Sequence, residues 1–191
     1  MYCRFRAMKA IFVTSNENKL REAREILGIW LESASLDLPE PQAVSIADVA
    51  VEKARAARAA LRDPPHPVLV EDSGLVLEAW NGLPGALTKW FLLSVGNEGL
   101  LEMLSSFGDR SARAVCALAV AFPDAPAKVF LGEVPGHVVS APRGESGFGW
   151  DPIFAPENPG GETYAELGAR KNEDSHRARA FRAARATLLE G

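Results

Sequence analysis

Cysteine is almost missing from this chain. Its 191 residues include two, Cys3 and Cys116, far apart and in no metal-ligand spacing. A bridge between them is open from sequence alone, but a reduced, cytoplasmic protein is the simpler expectation. No apolar run approaches the ~20 residues that span a bilayer, so no membrane partner is expected. Arg4, Arg6 and Lys9 are followed by no apolar stretch of the kind a secretory signal needs. Positive charge is also in short supply: 21 Lys and Arg stand against 25 Asp and Glu, a net charge of -4. A protein that grips a nucleic-acid backbone is ordinarily basic, because each phosphate contact calls for a cation. Bulk DNA or RNA is therefore not an expected partner, although a local lysine cluster suffices for a small phosphorylated molecule. The glycine-rich phosphate loop ending in Lys-Ser/Thr is absent, as are internal repeats and low-complexity linkers.

What is present has the ordinary globular balance, 47% apolar and 24% charged residues. Residues 1–7 read as an N-terminal extension and 8–191 as a single domain. Ala10 to Thr14 and Val68 to Val70 read as buried strands. A helix begins near Lys19, with Leu20, Ala23, Leu27 and Trp30 at helical spacing. Ser33 to Leu38 reads as a further strand. The Ala-rich stretch Asp48 to Arg62 is helical, as are Ala86 to Val95 and Glu98 to Phe107. Ala112 to Phe122 and Lys128 to Val134 read as a hairpin that Gly136 to Ser140 extends. Ala141 to Gly161 reads as a long loop, and Asn172 to Leu189 as a charged amphipathic helix. Strands and helices mixed in this way give an α/β fold, with an elongated mixed β-sheet flanked by helices.

Five segments carry residue types suited to chemistry. Thr14-Ser15-Asn16-Glu17-Asn18-Lys19 lies where a strand enters a helix, a place where amides and the helix dipole favour an anion. A polar helix cap with a surface lysine explains it equally well. Glu71-Asp72-Ser73-Gly74 follows a buried strand; adjacent carboxylates there call for a cation or hydrogen bonds, and oxygen-rich sites suit Mg²⁺. Its alternative is a solvated turn. Glu40 sits between two prolines, and Lys53 flanks the apolar stripe of its helix, where lysines also snorkel. Asn81 to Gly85 is a tight turn leading to Lys89-Trp90-Phe91. In Ser146-Gly-Phe148-Gly149-Trp150-Asp151-Pro152, glycines let the backbone approach a flat ligand and the aromatics offer it a face. Lys171 to Arg177 contains Lys171 and Ser175 four residues apart, then His176. Each segment is weak alone, and the order in which they occur is what counts.

That ordered set resembles the inosine triphosphatase family, the RdgB-like non-canonical purine NTP pyrophosphatases. The family's T-G-N-x-x-K stands here as Thr14 to Lys19, with Ser15 in place of glycine. Its acidic segment is Glu71 to Gly74, its G-x-P-G turn Gly82 to Gly85, its F-G-W-D-P Phe148 to Pro152, and its K-N-x-x-S-H-R Lys171 to Arg177. Thr163 to Leu167 also matches. The resemblance runs from about Ala10 to the C-terminus. It implies two lobes around a central cleft, a homodimer, and hydrolysis of inosine, deoxyinosine or xanthosine triphosphate to monophosphate and pyrophosphate. It implies Mg²⁺ on Glu40 and Asp72, with Asp72, Glu71, Lys19 and Lys53 as catalytic groups. Lys19, Lys53 and Lys89, with Thr14 and Asn16, would hold the triphosphate, and Ser15 and Ser73 would also bind the substrate. Phe148, Gly149, Trp150, Asp151, Lys171, His176 and Arg177 would shape the base pocket. Leu87 stands where relatives often carry tyrosine. Two alternatives remain from the residues alone: a Maf-like pyrophosphatase for other modified nucleotides, and a nucleotide sensor without turnover.

Overall fold

The computed structural model describes residues 10–28, 31–158 and 160–190. The expected extension at 1–7, Cys3 and Trp30 lie outside them. Six strands form one sheet: β1 (Ile11–Val13), β2 (Glu32–Ala34), β3 (Val68–Leu77), β4 (Ser111–Ala121), β5 (Lys128–Val138) and β6 (Phe154–Pro156). Their order is β2-β1-β3-β4-β5-β6. The first three run parallel and β3 to β6 run antiparallel. The helices are α1 (Glu17–Leu27), α2 (Ile46–Ala60), α3 (Thr88–Leu104), the single turn α4 (Tyr164–Leu167) and α5 (His176–Glu190). The expected α/β mixed sheet is therefore present. No described helix is long and apolar enough to cross a membrane.

Alternation along the long strands separates two faces. Leu69 of β3 and Cys116, Leu118 and Val120 of β4 join α1 and α5 in one core. Val68 and Val70, with Val115, Ala117, Ala119 and Ala121, join α2 in a second. The alanines of β4 meet Ala50, Ala54 and Ala57 of α2, and small residues on both sides allow that helix to lie close. A third core surrounds the far ends of β3 and β4, where Leu75, Leu77, Ala112 and Ala114 meet α3, β6 and Trp150. The sheet thus carries two lobes, and residues 71–74 of β3 cross the ground between them.

Several expectations change in detail. Glu71 to Gly74 does not end a strand: β3 continues through it, paired with β4 from Val68 to Leu77. The quartet reads as a break because it crosses the cleft between two cores. The helices expected at 86–95 and 98–107 form one element interrupted at Gly96, whose φ of 69° and ψ of -172° are not helical. The expected loop at 141–161 contains β6, only three residues long. The C-terminal helix starts at His176 rather than Asn172; residues 168–173 form 3-10 turns, and Ser175 Oγ accepts from the amide of Ala178. The turn α4 is closed by a capping box, Thr163 and Glu166 bonding each other's backbone.

Two glycines set the spacing around the cleft. A Cβ on Gly74 would lie 2.1 Å from the carbonyl oxygen of Gly85. A Cβ on Gly132 of β5 would lie 2.0 Å from the carbonyl of His176 and 2.5 Å from the amide of Ala180. Both obstacles at Gly132 are backbone of α5's first two turns, which cannot rotate away. Gly132→Ala is therefore expected to destabilise the protein by about 1–3 kcal/mol, the usual cost of overpacking, measured by urea denaturation.

Candidate active site

A cleft of about 700 Å³ opens between the lobes. It lies where β1 ends, because β1 pairs with β3 only as far as Leu69, leaving Glu71 to Gly74 with β4 on one side and open ground on the other. Ligands of open α/β sheets collect at such carboxyl ends. Every residue given a substrate, metal or catalytic role from the resemblance lines it: Thr14, Ser15, Asn16, Lys19, Glu40, Lys53, Glu71, Asp72, Ser73, Lys89, Phe148, Gly149, Trp150, Asp151, Lys171, His176 and Arg177.

The first loop is already ordered from within. Asn16 caps α1, its Oδ1 accepting from the amides of Asn18 and Lys19, and the amide of Asn16 donates to Thr14 Oγ1. Those amides are committed, so the loop's anion-binding capacity rests on Lys19 and the polar side chains. Ser15 does not have a positive φ, so its Cβ is no backbone burden where the family has glycine.

Glu71 and Asp72 are neighbours in sequence but turn to opposite faces of β3. Glu71 faces α1 and α5. Its carboxylate accepts from Arg177 Nε at 2.7 Å and Nη2 at 2.8 Å, and Lys19 Nζ lies 3.3 Å away. Burial alone would raise its pKa; Arg177 and Lys19 more than offset that and hold it well below the ordinary range. Asp72 faces α2. Lys53 Nζ lies 3.6 Å from its Oδ1, while the buried Oδ2 has no hydrogen-bond partner among the described residues. Burial raises its pKa, Lys19 and Lys53 oppose the rise, and Glu71 and Glu40 add to it. Glu40, in the loop before α2, accepts from Lys53 at 2.9 Å and from Lys89 at 3.0 Å.

At the other end, Asp151 accepts from Lys171 and from the amide of Phe148. Lys171 also donates to Glu22 at 3.0 Å. Lys171 Nζ and the Arg177 guanidinium lie 4.8 and 5.5 Å from the centre of the Phe148 ring. Trp150 is 7% exposed and packs among Phe154, Tyr164 and His176, so Phe148 offers the more open ring. His176 stacks on Tyr164, and neither ring nitrogen has a hydrogen-bond partner among the described residues. Burial first, then Arg177 and Lys171, push its pKa well below the usual histidine value. Its imidazole is therefore neutral, with one donor and one acceptor.

Arg177 is 1% exposed. It binds Glu71, Glu22 and, at 3.4 Å, Ser73 Oγ. It underlies the cleft more than it projects into it. Sequence reading missed Glu22, which gathers Lys171 and Arg177. Glu22 stands off the Leu20, Ala23, Leu27 stripe of α1, so no local signal marked its burial. Removing Arg177 would leave Glu71 and Glu22 buried without their cation. Arg177→Met should cost about 3–5 kcal/mol at neutral pH. In the wild type, the depressed Glu71 contributes stability that is present above the ordinary glutamate value of 4.5 and lost as pH falls through its folded value. In the variant, protonation instead relieves Glu71. The gap between the two proteins should therefore narrow in urea titrations from pH 7 towards pH 3.

Comparison with known proteins gives a consistent set. The family model described as Ham1 family matches residues 10–187. An inosine triphosphate pyrophosphatase of Tuber melanosporum is 47% identical over 177 residues, covering 89% of this chain and 91% of the relative. A dITP/XTP pyrophosphatase of Methanopyrus kandleri is 41% identical over 178 residues, covering 91% and 93%. Among solved structures, a HAM1 protein from Coxiella burnetii superimposes with a TM-score of 0.81 at 29% identity, covering 96% of this chain and all of that one.

Proposed function

The chain belongs to the Ham1 family, and we propose that it hydrolyses non-canonical purine nucleoside triphosphates, those of inosine, deoxyinosine and xanthosine, to the monophosphate and pyrophosphate. The observation that carries this reading is Asp72: a buried carboxylate on the wall of a lysine-rich cleft, with one oxygen that no described residue satisfies.

A triphosphate brings about four negative charges, and catalysis of its cleavage is chiefly positioning and charge neutralisation. Lys19, Lys53 and Lys89, with Thr14, Ser15, Asn16 and Ser73, supply the cations and donors of the phosphate end. In this reading Asp72 Oδ2 holds a water and accepts its proton as that water attacks the α-phosphorus, with pyrophosphate as the leaving group. A carboxylate whose pKa is raised is a better base than an ordinary aspartate. Glu71 acts at one remove, fixing Lys19 and Arg177.

Glu40 and Asp72 fit Mg²⁺. Among the described residues no group of three or more His, Cys, Asp or Glu side chains is arranged to hold a metal. Two carboxylates completed by phosphate oxygens and water are, however, a usual Mg²⁺ set. When bound, Mg²⁺ supplies charge neutralisation on the phosphoryl oxygens. At the base end, donors aimed at a 6-keto oxygen would be left unpaired by adenine, which is the strong form of discrimination. Lys171 and neutral His176 carry such donors, and Asp151 and Glu22 hold Lys171 in place. The reading includes a cytoplasmic homodimer, which sedimentation tests. Met103 and Phe107, apolar and exposed, are the kind of surface a partner covers.

With Mg²⁺ and inosine or xanthosine triphosphate, the purified protein should release pyrophosphate, with little from adenosine or cytidine triphosphate and none in EDTA. Orthophosphate as the product would overturn the reading, as would tight binding without turnover. Asp72→Asn should lower kcat by about 10²- to 10⁴-fold. It should also raise the melting temperature, because a buried carboxylate with a raised pKa costs stability above its ordinary range.

A further inference from the structure

At the phosphate end of the cleft, two carboxylates are already matched by two lysines before any nucleotide arrives. Glu40 and Asp72 contribute two negative charges, Lys53 and Lys89 two positive ones. Lys53 Nζ stands between the carboxylates, 2.9 Å from Glu40 Oε2 and 3.6 Å from Asp72 Oδ1. Lys89 takes the remaining oxygen of Glu40 at 3.0 Å. Among the described residues Asp72 Oδ2 is buried without a hydrogen-bond partner, and Oδ1 has Lys53 at ion-pair distance alone. We propose that Lys53 is the resident cation of this carboxylate pair and keeps a free divalent metal out until a triphosphate draws Lys53 and Lys89 away. The proposal rests on the metal site assigned above.

A free dication entering this ground meets two ammonium groups and one available oxygen. That is a poor start for an ion that gives up its water reluctantly and uses carboxylates together with substrate phosphates. A lysine is a compact charge on a flexible four-carbon stem, so it can move from a carboxylate to a phosphate oxygen without displacing its helix. Once Lys53 and Lys89 turn to the phosphates, three further carboxylate oxygens become available. Phosphate and metal then bind cooperatively, and by linkage each strengthens the other equally. Lys53 is in this sense a positioning residue for the metal as well as a phosphate ligand. If it were a phosphate ligand alone, its removal would leave the affinity for metal without nucleotide unchanged.

The test is titration with Mn²⁺ alone, without nucleotide, followed by the electron paramagnetic resonance signal of the free ion. Lys53→Met should bind one Mn²⁺ at least about ten-fold more tightly than the wild type, and adding Glu40→Gln should cancel the gain. Lys89→Met, at a side chain 58% exposed and so tolerable to the fold, should give a smaller gain in the same direction. Should Lys53→Met fail to fold, Lys53→Gln and Lys89→Met decide the matter. Unchanged or weaker Mn²⁺ binding in the folded variants would overturn the proposal. Wild-type activity in EDTA separates this failure from that of the metal reading. Activity that survives EDTA removes the metal site and the gate together; activity lost in EDTA, with no gain in the variants, removes the gate alone.

Discussion

Arg177 heads the wholly buried side chains by size, and a guanidinium cannot lose its charge in a protein. It must therefore be surrounded by acceptors. Glu71 of β3 and Glu22 of α1 provide them, and α5 supplies the arginine. One side chain thus joins the central strand to two helices that are remote in sequence. The chain of charges continues through Glu22 to Lys171 and Asp151 on one side, and through Glu71 to Lys19 on the other. Both ends of the cleft are fastened to this network. Buried ion pairs give little net stability but are costly to break, so the network fixes geometry more than it adds stability.

The alternation of β3 gives its two adjacent carboxylates different work. Glu71, turned towards α5, is neutralised by fixed cations and held ionised as a structural anion. Asp72, turned towards α2, keeps a free oxygen and a raised pKa. A one-residue shift of register would exchange their surroundings and leave both misplaced. The ten-residue pairing of β3 with β4 is what prevents it. The two cores at either end of that pairing hold the polar quartet in place, although nothing in the quartet itself favours burial.

Much of the site was legible because its residue types are unusual where they stand: lysines and carboxylates beside buried runs, and glycines beside aromatics. Short apolar runs marked β1 and the start of β3, and helical spacing of apolar residues marked α1 and α2. What escaped was whatever depends on partners distant in sequence. Glu22 reads as an ordinary surface glutamate of a charged helix until α5 brings Arg177 against it, 155 residues away. Likewise Glu71 to Gly74 reads as a turn because the strand's support there is a pair of cores, not its own side chains. Phe148 and Trp150 together read as a stacking face, yet Trp150 packs against Tyr164 and His176 and leaves Phe148 the more open ring. A local motif names the residue types of a loop, not which of its rings turns inward.

The distinction between an enzyme and a binder turns on what a binder would not need. Holding a triphosphate requires cations, and Lys19, Lys53 and Lys89 would suffice. Carboxylates in the same place oppose that binding by repelling the ligand and occupying the lysines. A buried carboxylate oxygen with no donor is moreover a standing cost of about 1–3 kcal/mol or more. A protein selected for affinity would gain by losing both Asp72 and Glu40. Their presence beside the lysines is readily understood if the site must also bring a metal and a water to the phosphorus, since the group that repels the ground state is then the one that activates the nucleophile. The stability lost at Asp72 is, on this view, the physical mark of turnover rather than of binding.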